Sequence, residues 1–361
     1  LDAIHAIFDQ SAIHILDQLN REVKLKQQQL GRPLYVIAES DLNSPHVIRD
    51  HEAGGFGFTA QWMDDFHHAL YVLLDEKGKE RYADFGRIEQ LAKAYMDGFV
   101  HSGEYVEFRK RKFGASSAGL PGDRFVVFID NHDQSGNRTL GERLTSLIDF
   151  EKQKLAAAAL LLSPYIPMLF MGEEYGEEAP FLYFVDHSDP ELIKGVREGR
   201  IKEFEKFSNQ GEPKDAFEEN TFLEAKLNWE KRKEGNHQIL LQWYKQLIQL
   251  RQTVPALRNF DRSSVRAEVT GEKSFTLHRH NDTGGQHLVC FFNLSDQELT
   301  ASVPAGFNNW EKLLDSGEEK WVEDKGKISP SPNQLSTSQI TLQPFTVVIY
   351  SSKLLRPSFM S

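Results

Sequence analysis

Hydrophobic and polar positions follow one rhythm up to about residue 258 and a different one after it. In the first stretch, short apolar runs alternate with longer amphipathic or alanine-rich segments. The runs at 34–38, 58–61, 125–129 and 166–170 are rich in β-branched and aromatic residues and read as buried strands. The stretches at 11–29, 88–98, 141–163 and 238–253 carry helical periodicity or helix-forming composition. This alternation is the βαβ pattern of a parallel sheet, open or closed. After about Arg262 the runs at 275–278, 288–292, 310–313 and 346–350 are separated by turns rich in Gly, Asn, Asp and Pro. That texture predicts an all-β domain of sandwich type. The expected division is 1–258 for the α/β part and 259–361 for the β part. The polar stretch 320–339 is expected to be a long loop or ragged hairpin.

The sharpest signal is the segment FVVFIDNHDQSGNR at 125–138, where a strand breaks into a dense polar tip. Parallel barrels build their active sites from such βα tips at the C-terminal ends of the strands. A core strand closed by a hydrogen-bonded turn is the plainer alternative. Glu39 follows the run LYVIA and Asp133 follows FVVFIDNH, so both carboxylates sit at strand ends. Asp2 stands 37 positions before Glu39, about one βα unit, and belongs to a neighbouring tip. Two carboxyls across a crevice suit glycosidic bond cleavage, one as proton donor and one as nucleophile. A third raises the donor's pKa by like-charge repulsion. Taken singly, each acid is equally a helix N-cap.

The tip after the second strand reads Gln61, Trp62, Met63, Asp64, Asp65, Phe66, His67, His68. Aromatic faces pack on the apolar side of a sugar ring, and the polar groups satisfy its hydroxyls. A structural polar turn and a metal site are the competing readings. The i, i+4 histidine pair of a helical zinc site is absent from it.

Composition narrows the options. The 361 residues are 40% hydrophobic and 26% charged, as in a globular protein, and the net charge of −11 implies no basic face for nucleic acid. No apolar run is long enough to cross a bilayer. One cysteine, Cys290, lies within the apolar run HLVCFFNL; it forms no internal disulfide and fits a cytoplasmic location.

With these residues in place, the chain resembles the α-amylase superfamily of glycoside hydrolases, and within it the maltooligosyltrehalose trehalohydrolases. LDAIHA at 1–6, AESDLNSPHV at 38–47 and NHDQSGNR at 131–138 are similar to three conserved regions of the superfamily. The longer segments AQWMDDFHHAL, YADFGRIEQLAKAY, LLLSPYIPMLFMGEEYGEEAPFLYFVDH and NTFLEAKLNWE resemble the trehalohydrolases in particular. Branching enzymes usually carry Ser-His-Asp-Glu where this chain has Asn131-His132-Asp133-Gln134.

The resemblance implies an α/β fold, the C-terminal half of a (β/α)8 barrel from the end of strand 4 onward, followed by the β-sandwich. A whole barrel takes eight strands and about 250 residues, so a longer protein is expected, with this segment inactive by itself. The implied reaction cuts the α-1,4 bond beside the terminal trehalose unit of maltooligosyltrehalose by a retaining mechanism. Asp2 would be nucleophile, Glu39 proton donor and Asp133 transition-state stabiliser. His5, Trp62, Asp64, Asp65, Phe66, His67, His68, Asn131, His132, Gln134, Asn137 and Arg138 would bind substrate. The chemistry requires no cofactor or metal. A branching enzyme, another α-glucan hydrolase and an inactive glucan-binding paralogue are the rivals.

Overall fold

The computed structural model describes residues 1–204, 211–281, 285–305 and 308–353, so residues 354–361 of the expected terminal domain lie outside the described ones. Helix α1 (Ile15–Leu30) opens the chain, with the His14 ring capping Leu16 N–H at 3.2 Å. It stops at Gly31, whose φ of +61° is the left-handed conformation a helix C-terminus favours. Strands β1 (Ile37–Ala38) and β2 (Ala60–Trp62), helices α2 (Asp64–Leu74) and α3 (Ile88–Asp97), and a small ladder of β3 (Tyr105–Val106) with β4 (Arg111–Lys112) follow. Next come β5 (Phe125–Val127), α4 (His132–Gly136), α5 (Leu144–Leu147), α6 (Phe150–Leu161) and β6 (Ile166–Pro167). Helices α7 (Pro190–Phe204), α8 (Glu219–Glu224) and α9 (Gly235–Thr253) end this part.

The four main strands form a parallel sheet in the order β1-β2-β5-β6. Leu1 to Ile4 run along its β1 edge, with Glu39 N–H donating to Leu1 C=O at 2.9 Å and Ile4 N–H to Glu39 C=O at 3.1 Å. Because all strands run the same way, the residues that follow them reach one face. Phe125, Val126 and Val127 are all buried, as expected of a parallel strand covered on both sides. Just before β5, a side chain at Gly122 would lie 2.0 Å from the Pro164 carbonyl, so only glycine fits that approach.

The second part is antiparallel. Strands β7 (Val265–Gly271), β8 (Ser274–Asn281), β9 (Gln286–Asn293), β11 (Asn308–Asp315), β12 (Gln334–Leu335) and β14 (Thr346–Lys353) form a six-stranded sheet in the order β12-β11-β14-β9-β8-β7. A second ladder, β10 (Leu299–Ser302) with β13 (Gln339–Leu342), lies over it. Alternation along β9 divides its residues between two cores. Val289 and Phe291 pack with Ala301, Trp310, Ile340 and Leu342 inside the sandwich. Leu288, Cys290 and Phe292 face the other way, into the main core with residues of α3, α6 and α9. Both faces are therefore covered, which explains the unbroken apolar run in the sequence.

Two buried cations, Arg279 and Lys154, tie the two parts together, and the half-buried Arg251 braces the first part from within. Arg279 on β8 has no exposed surface and donates to the carbonyls of Leu162 (3.0 Å), Ser163 (2.9 Å) and Asn259. Arg251 on α9 donates to Leu161 (2.9 Å), Ser163 (2.7 Å) and Tyr165. Apart from that of Asn259, these carbonyls lie at and beyond the end of α6, where the helix leaves them unpaired. Lys154, equally buried, pairs with Glu151 at 2.8 Å and reaches the carbonyls of Ser316 and Trp321.

Candidate active site

Three of the sequence-predicted groups meet at the strand tips. Asp2, Glu39 and His132 each offer a ligand-type atom, and these atoms all lie within 4.8 Å of one another. Glu39 is half-buried while Asp2 and His132 are exposed, so the cluster opens to solvent on one side. Burial, then a hydrogen bond with Asp2 and the negative charges of Asp2 and Asp133, push the Glu39 carboxyl up to about 7. The Ala3 N–H pulls weakly the other way; Ala3 itself has φ +41°, an uncommon backbone state placed beside the acids. A carboxyl whose proton affinity is raised toward neutrality, in contact with a second carboxyl, is the arrangement of an acid–nucleophile pair. Their short spacing suits direct attack; the wider gap of about 6.5–9.5 Å would leave room for a water. The same three groups could hold a divalent cation, which would take up the lone pairs the acid–nucleophile reading uses.

Helix α4 sets the far wall. The Asn131 side-chain oxygen accepts from Asp133 N–H and Gln134 N–H, both at 2.9 Å, and so starts this short helix. Asp130 is buried beneath it, accepting from Asn131 N–H, Ser135 Oγ and Leu144 N–H. Asp133 lies 3.7 Å from His132 and takes a 3.3 Å hydrogen bond from Asn137. Trp62 meets His132 edge-on at 5.9 Å between ring centres and Phe128 at 5.4 Å, so its half-buried ring borders the cluster.

The residues at 64–68 do not form one polar tip, because helix α2 begins at Asp64 and rotates them apart. Asp64 stays at the mouth, 3.5 Å from Gln134 Nε2. Its carboxyl is pushed up to about 8, first by burial and then by Asp41, Asp65, Asp133 and Glu39. Asp65 turns inward and accepts from Asn43 Nδ2, Val100 N–H and His101 N–H, each at 2.8 Å. Phe66 is fully buried, edge-on to Tyr95. Neither Asp65 nor Phe66, as placed, presents a surface to the crevice. His67 is buried, stacked on Tyr71 and 2.9 Å from His68, and burial pulls its pKa down to about 3, leaving it neutral. His68 stacks on Tyr82 at 3.9 Å. Arg138 lies 3.5 Å from Glu142 and 3.4 Å from Tyr71 Oη, outside the acid cluster.

Two neighbours escaped the sequence reading. Asp41 is 3.7 Å from His5 and is held by Arg109, so it orients the His5 side of the site. Its place two residues after Glu39 was the available signal. Tyr82 donates to Gln134 Oε1 and backs His68. It opens the segment YADFGRIEQLAKAY, 52 residues before Gln134, and nothing in that segment marks it as part of the site.

No family model matches the chain. The malto-oligosyltrehalose trehalohydrolase of Saccharolobus solfataricus is 48% identical over 251 residues, covering 70% of this chain and 42% of that protein. That of Rhizobium sp. (strain M-11) is 38% identical over 308 residues, covering 84% and 51%. Over this stretch the chain is similar to the malto-oligosyltrehalose trehalohydrolases. It spans about half the length of the curated relatives it matches. A crystal structure of a putative alpha amylase from Salmonella typhimurium covers 97% of this chain and 56% of that one, with 32% identity and a TM-score of 0.81. The alpha-amylase of H. orenii, at 16% identity and a TM-score of 0.52, shares the fold alone. In this family's architecture the four parallel strands with their helices are part of a (β/α)8 barrel, and the antiparallel sheets are the domain after it.

Proposed function

We propose that the crevice hydrolyses the α-1,4 bond beside the terminal trehalose unit of a maltooligosyltrehalose and releases trehalose. The observation that carries this reading is the contact between Asp2 and Glu39, with Glu39 pushed up to about 7. Asp2 Oδ attacks the anomeric carbon, the C1–O4 bond breaks, and the Glu39 proton passes to O4 of the departing trehalose. Water then attacks C1, giving its proton to Glu39 and freeing Asp2. Two inversions retain the configuration. Asp133 is assigned the hydroxyls of the distorted ring. Trp62, His132, Asp64, Gln134 and His5 line the approach, and Asn131, Asn137 and Arg138 hold that wall. His67 and His68 back it. The names of the relatives supply the trehalose specificity, and the Asn131-His132-Asp133-Gln134 sequence agrees with it.

We also place this activity in the cytoplasm, on the single cysteine. Among the described residues no helix is long and apolar enough to cross a membrane.

The test is product analysis by NMR after incubation of the complete enzyme with maltotriosyltrehalose and, separately, with amylose. Trehalose together with α-configured maltotriose as the first-formed anomer is expected. Chain-transfer or small maltooligosaccharides from amylose, with maltotriosyltrehalose left intact, would overturn the assignment.

A further inference from the structure

Helix α4, which carries Asp133, touches the segment that follows β6, and Arg143 stands where the two meet. Arg143 is buried, and its guanidinium donates to the carbonyls of Met171 and Ala179, both at 2.7 Å. One side chain thus joins two distant points of that segment. The same guanidinium lies over the Phe170 ring at 4.9 Å and the Phe181 ring at 5.9 Å. Phe181 in turn rests on α4, since a side-chain carbon at Gly136 would lie 3.4 Å from its ring. Phe181 N–H donates to the Gly141 carbonyl at 2.7 Å and Thr145 Oγ1 to that of Glu177 at 2.6 Å, which keeps the segment in register with the chain after α4.

A second route runs through charge. Burial lowers the Arg143 pKa, and the negative charges of Asp130 and Glu177 work against that fall. Asp130 is the buried carboxylate beneath α4, tied to it by Asn131 N–H and by Ser135 Oγ, each at 2.9 Å. The ring contact and the charge therefore lead from Arg143 to the same short helix. Burying a guanidinium is costly. What it supplies and an ammonium does not is a set of N–H groups fixed in one plane.

We propose that Arg143 is a positioning residue, which clamps residues 170–181 against α4 and so fixes where Asp133 meets the sugar ring. The proposal rests on the role given above to Asp133, whose partner is the distorted ring of the transition state. Helix α4 has five residues, too few to hold its own place without packing. A catalytic group displaced by about 1 Å costs on the order of 10²-fold in rate. Arg143 acts on that placement through α4.

The experiment compares Arg143→Lys with the wild type in the complete enzyme. Lysine keeps the charge that answers Asp130 but does not hold both carbonyls in one plane. With maltotriosyltrehalose, kcat should fall about 10²-fold while KM stays nearly constant, because the lost contact belongs to the transition state. Amide hydrogen exchange at Ser135 and Asn137, whose N–H groups close the turn of α4, should quicken about tenfold, with exchange in β9 unchanged. If Arg143→Lys fails to fold by circular dichroism, Phe181→Leu decides, since it removes the ring between Arg143 and Gly136 and leaves the charges alone; the same pattern is expected. Unchanged exchange in α4 overturns the proposal, as does a raised KM with kcat retained. Failure of the wild-type enzyme to cleave maltotriosyltrehalose would instead overturn the functional reading, and the exchange comparison then decides the clamp by itself.

Discussion

The strand-tip crevice and the junction between barrel and sandwich both concentrate charge, and they treat it in opposite ways. At the junction Arg279 and Lys154 are buried and donate to backbone carbonyls across it. At the crevice Asp2, Glu39, Asp64 and Asp133 repel one another, and a cation close to them, Arg109, is already spent on Asp41. Satisfied charge fixes geometry, whereas crowded like charge raises proton affinity and stores reactivity. The same distinction separates positions where substitution costs stability from those where it costs turnover.

The largest expected effect lies on the crevice side. Asp2→Asn in the complete enzyme should lower kcat on the order of 10⁴-fold or more while leaving the thermal midpoint unchanged, because the nucleophile is exposed. Initial rates with maltotriosyltrehalose, measured beside a melting curve, test both halves. A large drop in melting temperature would show that the acids also hold the fold and would break the contrast.

Glu39→Gln should lower kcat by about 10²–10⁴-fold, the usual worth of a general acid–base. The pH dependence has a definite sign. Glu39 acts as acid only when protonated, and its pKa is pushed up to about 7, so kcat/KM should fall as pH rises through about 7. In Asp2→Asn a neighbouring negative charge is gone, so the Glu39 carboxyl should titrate at lower pH. Carbon-13 NMR of that carboxyl measures it directly, and an unchanged or higher midpoint would remove Asp2 from the explanation.

The junction should answer differently. Arg279→Met strips the charge-assisted donor from the carbonyls of Leu162 and Asn259, at a cost of about 3 kcal/mol. Urea unfolding should show the loss, with turnover per folded molecule retained.

The two regions were also unequally legible in the sequence. Glu39 and Asp133 could be found because each directly follows an apolar run, and a parallel strand sends such residues to one face. The runs at 125–129 and 288–292 were likewise readable as strands, since burial on both faces leaves them continuously apolar. Read as one polar strand tip, the segment places Asp65 and Phe66 in the crevice. The helix that starts at Asp64 instead rotates them into the core, and two adjacent aspartates do not reveal which one turns inward. The helical stretch 141–163 appears as α5 and α6 separated by Ile148 and Asp149, a break the alanine-rich pattern hides. Arg279 gave no signal at all. Between two histidines on a strand it looks like a surface residue, and only the unpaired carbonyls at the end of α6, more than a hundred residues earlier, make its burial favourable.

Asn131→Ala is the smallest effect and the finest probe, because this residue belongs to the crevice in position and to the architecture in role. Its side-chain oxygen caps α4, which carries His132 and Asp133. Losing that cap should cost about 1 kcal/mol. Asn131→Asp keeps an acceptor in the same place and adds a negative charge where a helix N-terminus favours one. It should therefore recover most of the lost stability, less whatever repulsion the buried Asp130 imposes. Urea midpoints of the two variants measure the difference. A loss in Asn131→Ala as large as that in Arg279→Met would mean that the tip is locked into the same rigid unit as the junction. A loss near 1 kcal/mol, with activity reduced further than stability, would mean that the protein holds its reactive wall by one local cap and reserves its extensive bonding for the junction.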